Sequence, residues 1–106
     1  MIRVRISLNT LEMQVDGHAR SAAKGEDLVC CAISTLTQTL VRNMELAYKR
    51  GELQDLMEEI DEGHIYLMPI PYGWSLQSIV TAYRVILEGI KGVMEGNEKY
   101  IKLEEE

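Results

Sequence analysis

Apolar and polar residues alternate at the start of the chain, which predicts two β-strands with one buried face each. The alternating apolar positions are Ile2, Val4, Ile6 and Leu8 in the first stretch and Leu11, Met13 and Val15 in the second. Asn9 and Thr10 separate the two stretches, a spacing short enough for a hairpin turn. We therefore expect an antiparallel hairpin in which Arg3 and Arg5 lie on the outer face, opposite polar residues of the second strand.

Two later segments change to the period of a helix. The first apolar stripe consists of Val29, Ile33, Leu36, Leu40, Met44 and Ala47. The second consists of Leu76, Ile79, Val80, Tyr83, Ile86, Leu87, Ile90, Val93 and Met94. Asp27 and Ser75 are the predicted N-caps, because their side-chain oxygens can accept the N–H groups left unpaired in a first helical turn. Gly51 and Gly96 are predicted to end the two helices.

Two segments outside these helices are less regular. Residues 17–26 have no sustained apolar period and carry Gly17 and Gly25 near their ends, so we expect a mobile loop between the second strand and the first helix. Residues 52–62 fit two elements. Their apolar positions have helical spacing, but Leu56, Glu58 and Ile60 also alternate as in a strand. The residues leave this choice open.

The rest of the chain predicts short strands and connections. Residues 61–63 are typical of a turn, residues 65–68 of a strand that begins near His64, and residues 100–103 of a last strand. The prolines and glycine of residues 69–73 indicate a loop before the second helix.

Composition restricts the class of protein. A chain of 106 residues with 46% hydrophobic content fits one compact domain, residues 1–106, with a modest core. No stretch approaches the roughly 18 apolar residues that a membrane helix needs, and the alternating N-terminus lacks the apolar run of a signal peptide. We therefore expect a cytoplasmic protein. The net charge of −6 argues against direct binding to nucleic acid, which needs a basic surface.

Acidic residues are concentrated after the first helix. They are Glu52, Asp55, Glu58, Glu59, Asp61 and Glu62, with no lysine or arginine between them. Such a run is typical of a solvated face, and it could also attract a basic polypeptide.

The two cysteines, Cys30 and Cys31, are adjacent, so a disulfide between them would need a strained ring and a reducing compartment is expected. Together with His18 and His64 they lack the paired spacing of a zinc site, so we predict neither a metal nor another cofactor. Neighbouring helical residues point about 100° apart. Cys30 is therefore predicted beside the core stripe, and Cys31 almost opposite it.

Cys30 and His18 could form a nucleophile and its base. A cysteine attacks as its thiolate, which a helix N-terminus and a nearby imidazolium both stabilise. Cys30 is predicted about three residues into the first helix, and His18 lies in the preceding loop. Asp27 could cap the helix or orient His18. The alternative is that Cys30 is only a small apolar residue of the core.

Three parts of the sequence resemble the signature of the ribosomal-processing cysteine protease (Prp) family. They are Gly17-His18-Ala19, then Gly25-Glu26-Asp27-Leu28-Val29-Cys30, then Ala32 and Ser34. The ending at residues 100–103 is also similar, so the resemblance covers nearly the whole chain.

The resemblance implies a small α+β domain, in which a mixed or antiparallel sheet packs against two helices in the order ββαββαβ. It favours strands near 55–60 and 64–70 and implies a homodimer. Members of the family are bacterial cytoplasmic endopeptidases that remove an N-terminal extension from a large-subunit ribosomal protein, a step in ribosome assembly. By residue match, the resemblance implies Cys30 as nucleophile and His18 as general base, with Asp27 and Ser34 as supporting residues.

The chain departs from the family pattern near the expected substrate loop. The loop residues carried over are Gly17, Ala19, Arg20, Ser21 and Gly25. Arg20-Ser21 replaces a glycine and an aromatic residue, Cys31 stands where a small residue is expected, and residues 69–74 do not match. These changes are expected to alter the protein substrate more than the chemistry. They leave open a divergent or phage-associated protease.

Two functions of other classes are alternatives. One is a non-catalytic module that holds a basic partner through the acidic residues. The other is a redox sensor that uses Cys30 and Cys31, although the helix directs the two sulfurs apart.

Overall fold

A computed structural model of the chain describes residues 1–17 and 24–106, with side chains from Asp27 onward in the second range. The elements are β1 (Ile2–Ile6), β2 (Met13–Asp16), α1 (Lys24–Lys49), β3 (Leu53–Asp61), β4 (His64–Pro71), α2 (Leu76–Met94) and β5 (Ile101–Glu105). This order confirms the α+β class and the predicted arrangement ββαββαβ.

The strands form one five-stranded sheet in the order β3-β4-β2-β1-β5. Neighbouring strands are antiparallel except for β1 and β5, which are parallel because α2 carries the chain back across the sheet before β5. The sheet is therefore mixed. Arg3 lies opposite Asp16, and Arg5 lies opposite Gln14, as the alternation predicts.

One face of the sheet is buried under the two helices. The buried residues of the strands include Ile2, Val4, Ile6, Met13, Val15, Ile65 and Leu67, and those of the helices include Val29, Ile33, Leu40, Met44, Ile79, Tyr83, Leu87 and Ile90. Leu36 of α1 approaches Gly89 of α2 so closely that a Cβ atom on that glycine would lie 3.0 Å from the leucine methyl carbon. Among the described helices, none is long and apolar enough to cross a membrane.

The β1–β2 connection is longer than predicted. Ile6 pairs with Met13, so the connection comprises residues 7–12 rather than Asn9 and Thr10 alone. The hydroxyl of Ser7 accepts hydrogen bonds from the backbone N–H groups of Asn9 and Thr10, at 3.1 and 3.0 Å. Two-residue hairpin turns favour residues such as glycine that adopt positive φ. Here a longer turn forms instead, and the side chain of Ser7 bonds to its backbone.

The predicted helix ends are right, the predicted N-cap position is right for α2 and wrong for α1, and the predicted capping bond of Ser75 is absent. Gly51 follows α1 at φ +79° and Gly96 follows α2 at φ +78°. However, α1 begins at Lys24, so Asp27 is inside its first turn, where the helix dipole still favours a carboxylate. Ser75 occupies the N-cap position of α2 but makes no capping bond. Its hydroxyl donates instead to the carbonyl of Glu52, at 2.6 Å.

Residues 53–61 form a strand, so the helical alternative for this segment is wrong. The segment pairs with β4 along its whole length, from Leu53 opposite Pro71 to Asp61 opposite His64. Pairing with β4 satisfies the backbone while the acidic side chains reach solvent from an edge strand. The predicted loop at 69–73 is also shorter, because β4 continues to Pro71. Pairing with β2 ends at Leu67, and prolines are tolerated where an edge has no strand partner.

Removal of the Tyr83 hydroxyl group should stabilise the folded protein. Its side chain is fully buried, burial raises the pKa of its phenol, and the hydroxyl has no hydrogen-bond partner within the described residues. We expect Tyr83→Phe to raise the free energy of unfolding by about 1 kcal/mol, since a buried unpaired hydroxyl is costly. The measurement is urea denaturation at pH 7.

Tyr66→Phe is the matched control. The Tyr66 hydroxyl donates to a Glu12 carboxylate oxygen at 2.7 Å, so its removal should lower the free energy of unfolding by about 1 kcal/mol. Equal destabilisation by the two substitutions would show that the Tyr83 hydroxyl has a partner.

Candidate active site

Cys30 lies at the rim of the core, as the helical wheel predicts. Its side chain is half-buried and packs against the buried cluster, whereas Cys31 is exposed. Both thiols are free. The two sulfurs therefore have different surroundings, and only Cys30 combines partial exposure with contact to the rigid core.

The position of Cys30 along α1 differs from the prediction. Because α1 begins at Lys24, Cys30 is its seventh residue rather than about its third. The effect of the helix dipole falls off within the first turn, so it contributes less at Cys30 than expected. Asp27 is exposed and lies three residues earlier, so it shares roughly one helix face with Cys30.

Gly17, the residue before His18, has a closely constrained backbone. Its N–H donates to the carbonyl of Gly63, at 2.9 Å, in the β3–β4 turn. Its φ is +103°, and a Cβ atom on it would lie 2.5 Å from the carbonyl oxygen of Met1. Glycine is therefore required here by conformation and by space.

Most of the predicted substrate loop cannot be compared with the structure. His18, Ala19, Arg20 and Ser21 lie outside the described residues, and Gly25 is described only as backbone within α1.

Gly17 and Ser34, both predicted site residues, line one cleft of about 110 Å³. Ser34 is one helical turn after Cys30 and therefore on the same face of α1. The other lining residues are Val15, Thr37, Gln38, Ile60, Asp61, Gly63, His64 and Ile65. Thr37, Gln38 and Ile60 are not among the predicted site residues. Gln38 could have been predicted, because Cys30, Ser34 and Gln38 are spaced four residues apart and share one face of α1. No sequence pattern near Ile60 indicates that it belongs to the cleft.

The segment 69–74, a predicted source of altered substrate choice, lies away from this cleft. It begins near the end of β4, about 17 Å along the strand from His64 at a rise of about 3.4 Å per residue. There the Tyr72 and Trp74 rings stack with centroids 5.7 Å apart. This departure from the family pattern therefore does not alter the described part of the site.

His64 begins β4, as predicted, and its imidazole is held by Asp16. Nδ1 lies 2.5 Å from an Asp16 carboxylate oxygen. This hydrogen bond raises the pKa of His64 and lowers the pKa of Asp16. Both residues alternate with buried neighbours, so the pair lies on the open face of the sheet, opposite the helices.

The acidic run does not form one surface. Asp55, Glu59 and Asp61 lie on the open face of β3 and Glu58 lies on the helix side, whereas Glu52 precedes the strand and is paired with Arg50 at 2.9 Å. Burial, together with the nearby Glu45, raises the pKa of Glu58 on the helix side. Within the described ranges no group of His, Cys, Asp or Glu side chains could hold a metal ion.

The family and structure comparisons agree with the resemblance. The family model described as cysteine protease Prp matches residues 1–102. A comparison with curated proteins finds no match.

Several solved structures have the same fold. The Staphylococcus aureus essential ribosomal processing protease Prp, in complex with a substrate peptide, is 20% identical with a TM-score of 0.77, and 100% of each chain is covered. The same protease with a covalently linked product peptide gives 20% identity and a TM-score of 0.74, again over 100% of each chain. SMU.848 from Streptococcus mutans is 21% identical with a TM-score of 0.67, covering 98% of this chain and 90% of that one.

The His64–Asp16 pair should make stability depend on pH. The raised pKa of His64 stabilises the fold below the unfolded-state value of about 6.5, and this contribution is lost as pH rises through the folded-state pKa. The lowered pKa of Asp16 stabilises the fold above about 3.9, and this contribution is lost as pH falls. His64→Gln should therefore destabilise most between about pH 4 and 6.5.

Thermal unfolding from pH 4 to 9 measures this effect. Asp16→Asn should show the same pH dependence, and His64→Gln should have little further effect in the Asp16→Asn background. Additive losses in the double variant would mean that the two side chains act independently.

Gly17→Ala should destabilise the protein more than Gly51→Ala. Both positions have positive φ, which costs an L-residue about 1–2 kcal/mol. Only Gly17 also brings the new methyl group against a backbone oxygen, whereas the space around Gly51 is open. Urea denaturation of the two variants provides the comparison, and equal losses would contradict the close approach to Met1.

Proposed function

Since this chain belongs to the cysteine protease Prp family, we propose that it removes the N-terminal extension of a large-subunit ribosomal protein during ribosome assembly. The observation that carries the proposal is the family match over residues 1–102, which includes every predicted site residue. The S. aureus relatives, described as ribosomal processing proteases, support this choice of substrate.

Cys30 is the proposed nucleophile. Its half-buried position favours it over Cys31, because contact with the core fixes its rotamer while the other side remains accessible. The Cα–Cβ bond of a helical residue tilts toward the helix N-terminus. The sulfur is therefore directed toward the first turn of α1, whose backbone N–H groups have no partner in the helix.

His18 is the proposed general base. It follows Gly17 directly in the chain, and the N–H of Gly17 donates to the carbonyl of Gly63. A fixed backbone position before His18 limits the positions that the imidazole can reach, which supports its assignment as the base of Cys30. Asp27 and Ser34 are proposed as polar support on the same face of α1.

The proposed reaction is acyl transfer through a thioester. His18 takes the thiol proton, and the Cys30 sulfur bonds to the carbonyl carbon of the scissile peptide. The N–H groups of the first turn of α1 stabilise the oxyanion. The C–N bond then breaks, and the proton on His18 passes to the leaving amine. Water, deprotonated by His18, adds to the acyl carbon, and the sulfur leaves with that proton.

The remaining parts of the proposal concern assembly and location. We propose a homodimer that acts in the bacterial cytoplasm without a cofactor and without direct contact to nucleic acid. The net charge of −6 supports a polypeptide substrate rather than RNA, because a binder of RNA needs a basic surface.

Cys30→Ala should abolish cleavage, and Cys31→Ala should leave most of it. The purified protein is incubated with precursors of large-subunit ribosomal proteins, and the products are identified by mass spectrometry. His18→Ala should lower kcat by about 100-fold or more, as loss of a general base does. Retained cleavage by Cys30→Ala would refute the assignment of the nucleophile.

Alkylation by iodoacetamide separates the remaining alternatives. Cys30 should react well below pH 8 and slow in His18→Ala, but not in the matched His64→Ala variant. Such reactivity without cleavage of ribosomal precursors would indicate a divergent protease with another substrate. Ordinary reactivity at both thiols would instead favour a non-catalytic module.

A further inference from the structure

An aromatic pair is exposed at the turn between β4 and α2. The rings of Tyr72 and Trp74 stack with centroids 5.7 Å apart and planes inclined by 11°. Trp74 is 71% exposed and Tyr72 is 38% exposed. Ile70 and Leu76, on either side of the pair in the chain, are exposed as well. A group of large apolar side chains in solvent often marks a surface for a binding partner.

The turn that carries the pair is held in place by hydrogen bonds. The backbone N–H of Tyr72 donates to the hydroxyl of Ser75 at 3.0 Å, and that hydroxyl donates to the carbonyl of Glu52 at 2.6 Å. The side-chain amide of Gln54 donates to the carbonyl of Pro71 at 3.0 Å. A partner therefore meets ring faces that are already ordered, so little conformational entropy is lost when it binds.

The charge around the pair favours a cationic partner. Residues 51–83, which include the β3–β4 hairpin and the pair, contain no lysine or arginine. The six carboxylates of the acidic run lie in this range and equal the whole net charge of −6, because acidic and basic residues balance in the rest of the chain. Asp55 is exposed and lies opposite Ile70, which is two residues before Tyr72. Lysine and arginine are attracted to the faces of aromatic rings, and carboxylates nearby strengthen this attraction.

The same charges count against two other occupants. Nucleic-acid bases stack on aromatic side chains, but proteins that bind single strands in this way also supply a positively charged groove, which residues 51–83 lack. A second copy of the chain would bring this acidic segment against itself across a two-fold axis, and like charges in contact are unfavourable. The occupant that fits the pair is therefore a basic segment of a polypeptide.

The pair is far from the proposed nucleophile. From Cys30 to its end at Lys49, α1 extends over about 28 Å at about 1.5 Å per residue. Glu52, which accepts the hydrogen bond from Ser75, follows three residues later. An extended peptide advances about 3.3 Å per residue, so a substrate bound at Cys30 reaches the pair after about nine residues or more.

We propose that the Tyr72–Trp74 pair is an exosite that binds a lysine- or arginine-rich segment of the protein substrate, about nine residues or more from the scissile bond. The exosite rests on the proposed protease function. Cation–π contact with the two rings and attraction to Asp55 supply its affinity. The exosite selects the precursor protein by a segment outside the cleavage site, and it lies in the part of the chain that departs from the family pattern.

The first test compares the full-length precursor that the protein cleaves with a peptide of about ten residues centred on the same cleavage site, which is too short to reach the exosite. Trp74→Ala should raise KM for the precursor about 5-fold at unchanged kcat, as the loss of one cation–π contact does. It should leave both constants for the short peptide unchanged. Trp74→Phe keeps an aromatic ring and should retain most of the affinity for the precursor.

Two further variants separate charge from structure. Val85→Ala is the matched control, since Val85 is 63% exposed on α2, outside the turn, and it should change neither substrate. Asp55→Asn removes the charge but keeps the oxygen that accepts the N–H of Leu56 at 2.8 Å. It should raise KM for the precursor about 3-fold in dilute buffer, and this increase should disappear in about 0.5 M KCl because salt screens exposed charges.

The fluorescence of Trp74 reports binding directly, because Trp74 is the only tryptophan of the chain. A peptide of alternating lysine and glycine should change the emission of the wild-type protein, and a peptide of alternating glutamate and glycine should not. No change with the lysine peptide would overturn the exosite. A change with single-stranded oligoadenylate instead would overturn it in favour of base stacking.

The kinetic outcomes separate the exosite from the protease function itself. Equal KM of the wild type and Trp74→Ala for a precursor that both cleave, or an equal loss on the precursor and the short peptide, would overturn the exosite alone. Failure of the wild-type protein to cleave any precursor would overturn the proposed function, and the exosite with it.

Discussion

Burial of one face of the sheet beneath α1 and α2 is the constraint that positions the rest of the molecule. The apolar stripe of α1 must face the sheet, because removing it from water is the main favourable term in folding. Once Val29 and Ile33 are buried, the direction of every other residue of α1 is fixed. Cys30, about 100° from Val29, is therefore placed at the rim of the helix–sheet interface.

The rim is where a nucleophile is both held and accessible. A fully buried thiol could not meet a peptide, whereas Cys30 is half-buried and packs against the core and Cys31 is exposed. The N–H of Gly17 donates to the carbonyl of Gly63, which fixes the backbone immediately before His18. The proposed site therefore combines a residue of the packed helix α1 with the residue that follows this backbone position.

Periodicity predicted most of the fold because each period is a local property of the chain. The alternation of β1 and β2 and the stripe of α2 needed no knowledge of their partners. The wrong predictions concern segments whose structure depends on a residue far away in the sequence. Ser75 donates to Glu52 rather than capping α2, and residues 53–61 are a strand because β4 offers them an edge. A helix and a strand were otherwise equally compatible with the apolar spacing there.

The order of residues was sufficient to identify the family and to anticipate the sheet and helices, since these depend on spacing along the chain. It was insufficient for contacts between separated residues. His64 meets Asp16, 48 residues earlier, only because β2 and β4 pair in one register. Ile60 likewise joins the cleft because pairing with β4 turns it toward α1. Strand register and packing are set when the whole sheet forms, so the sequence alone does not show which of these residues become neighbours.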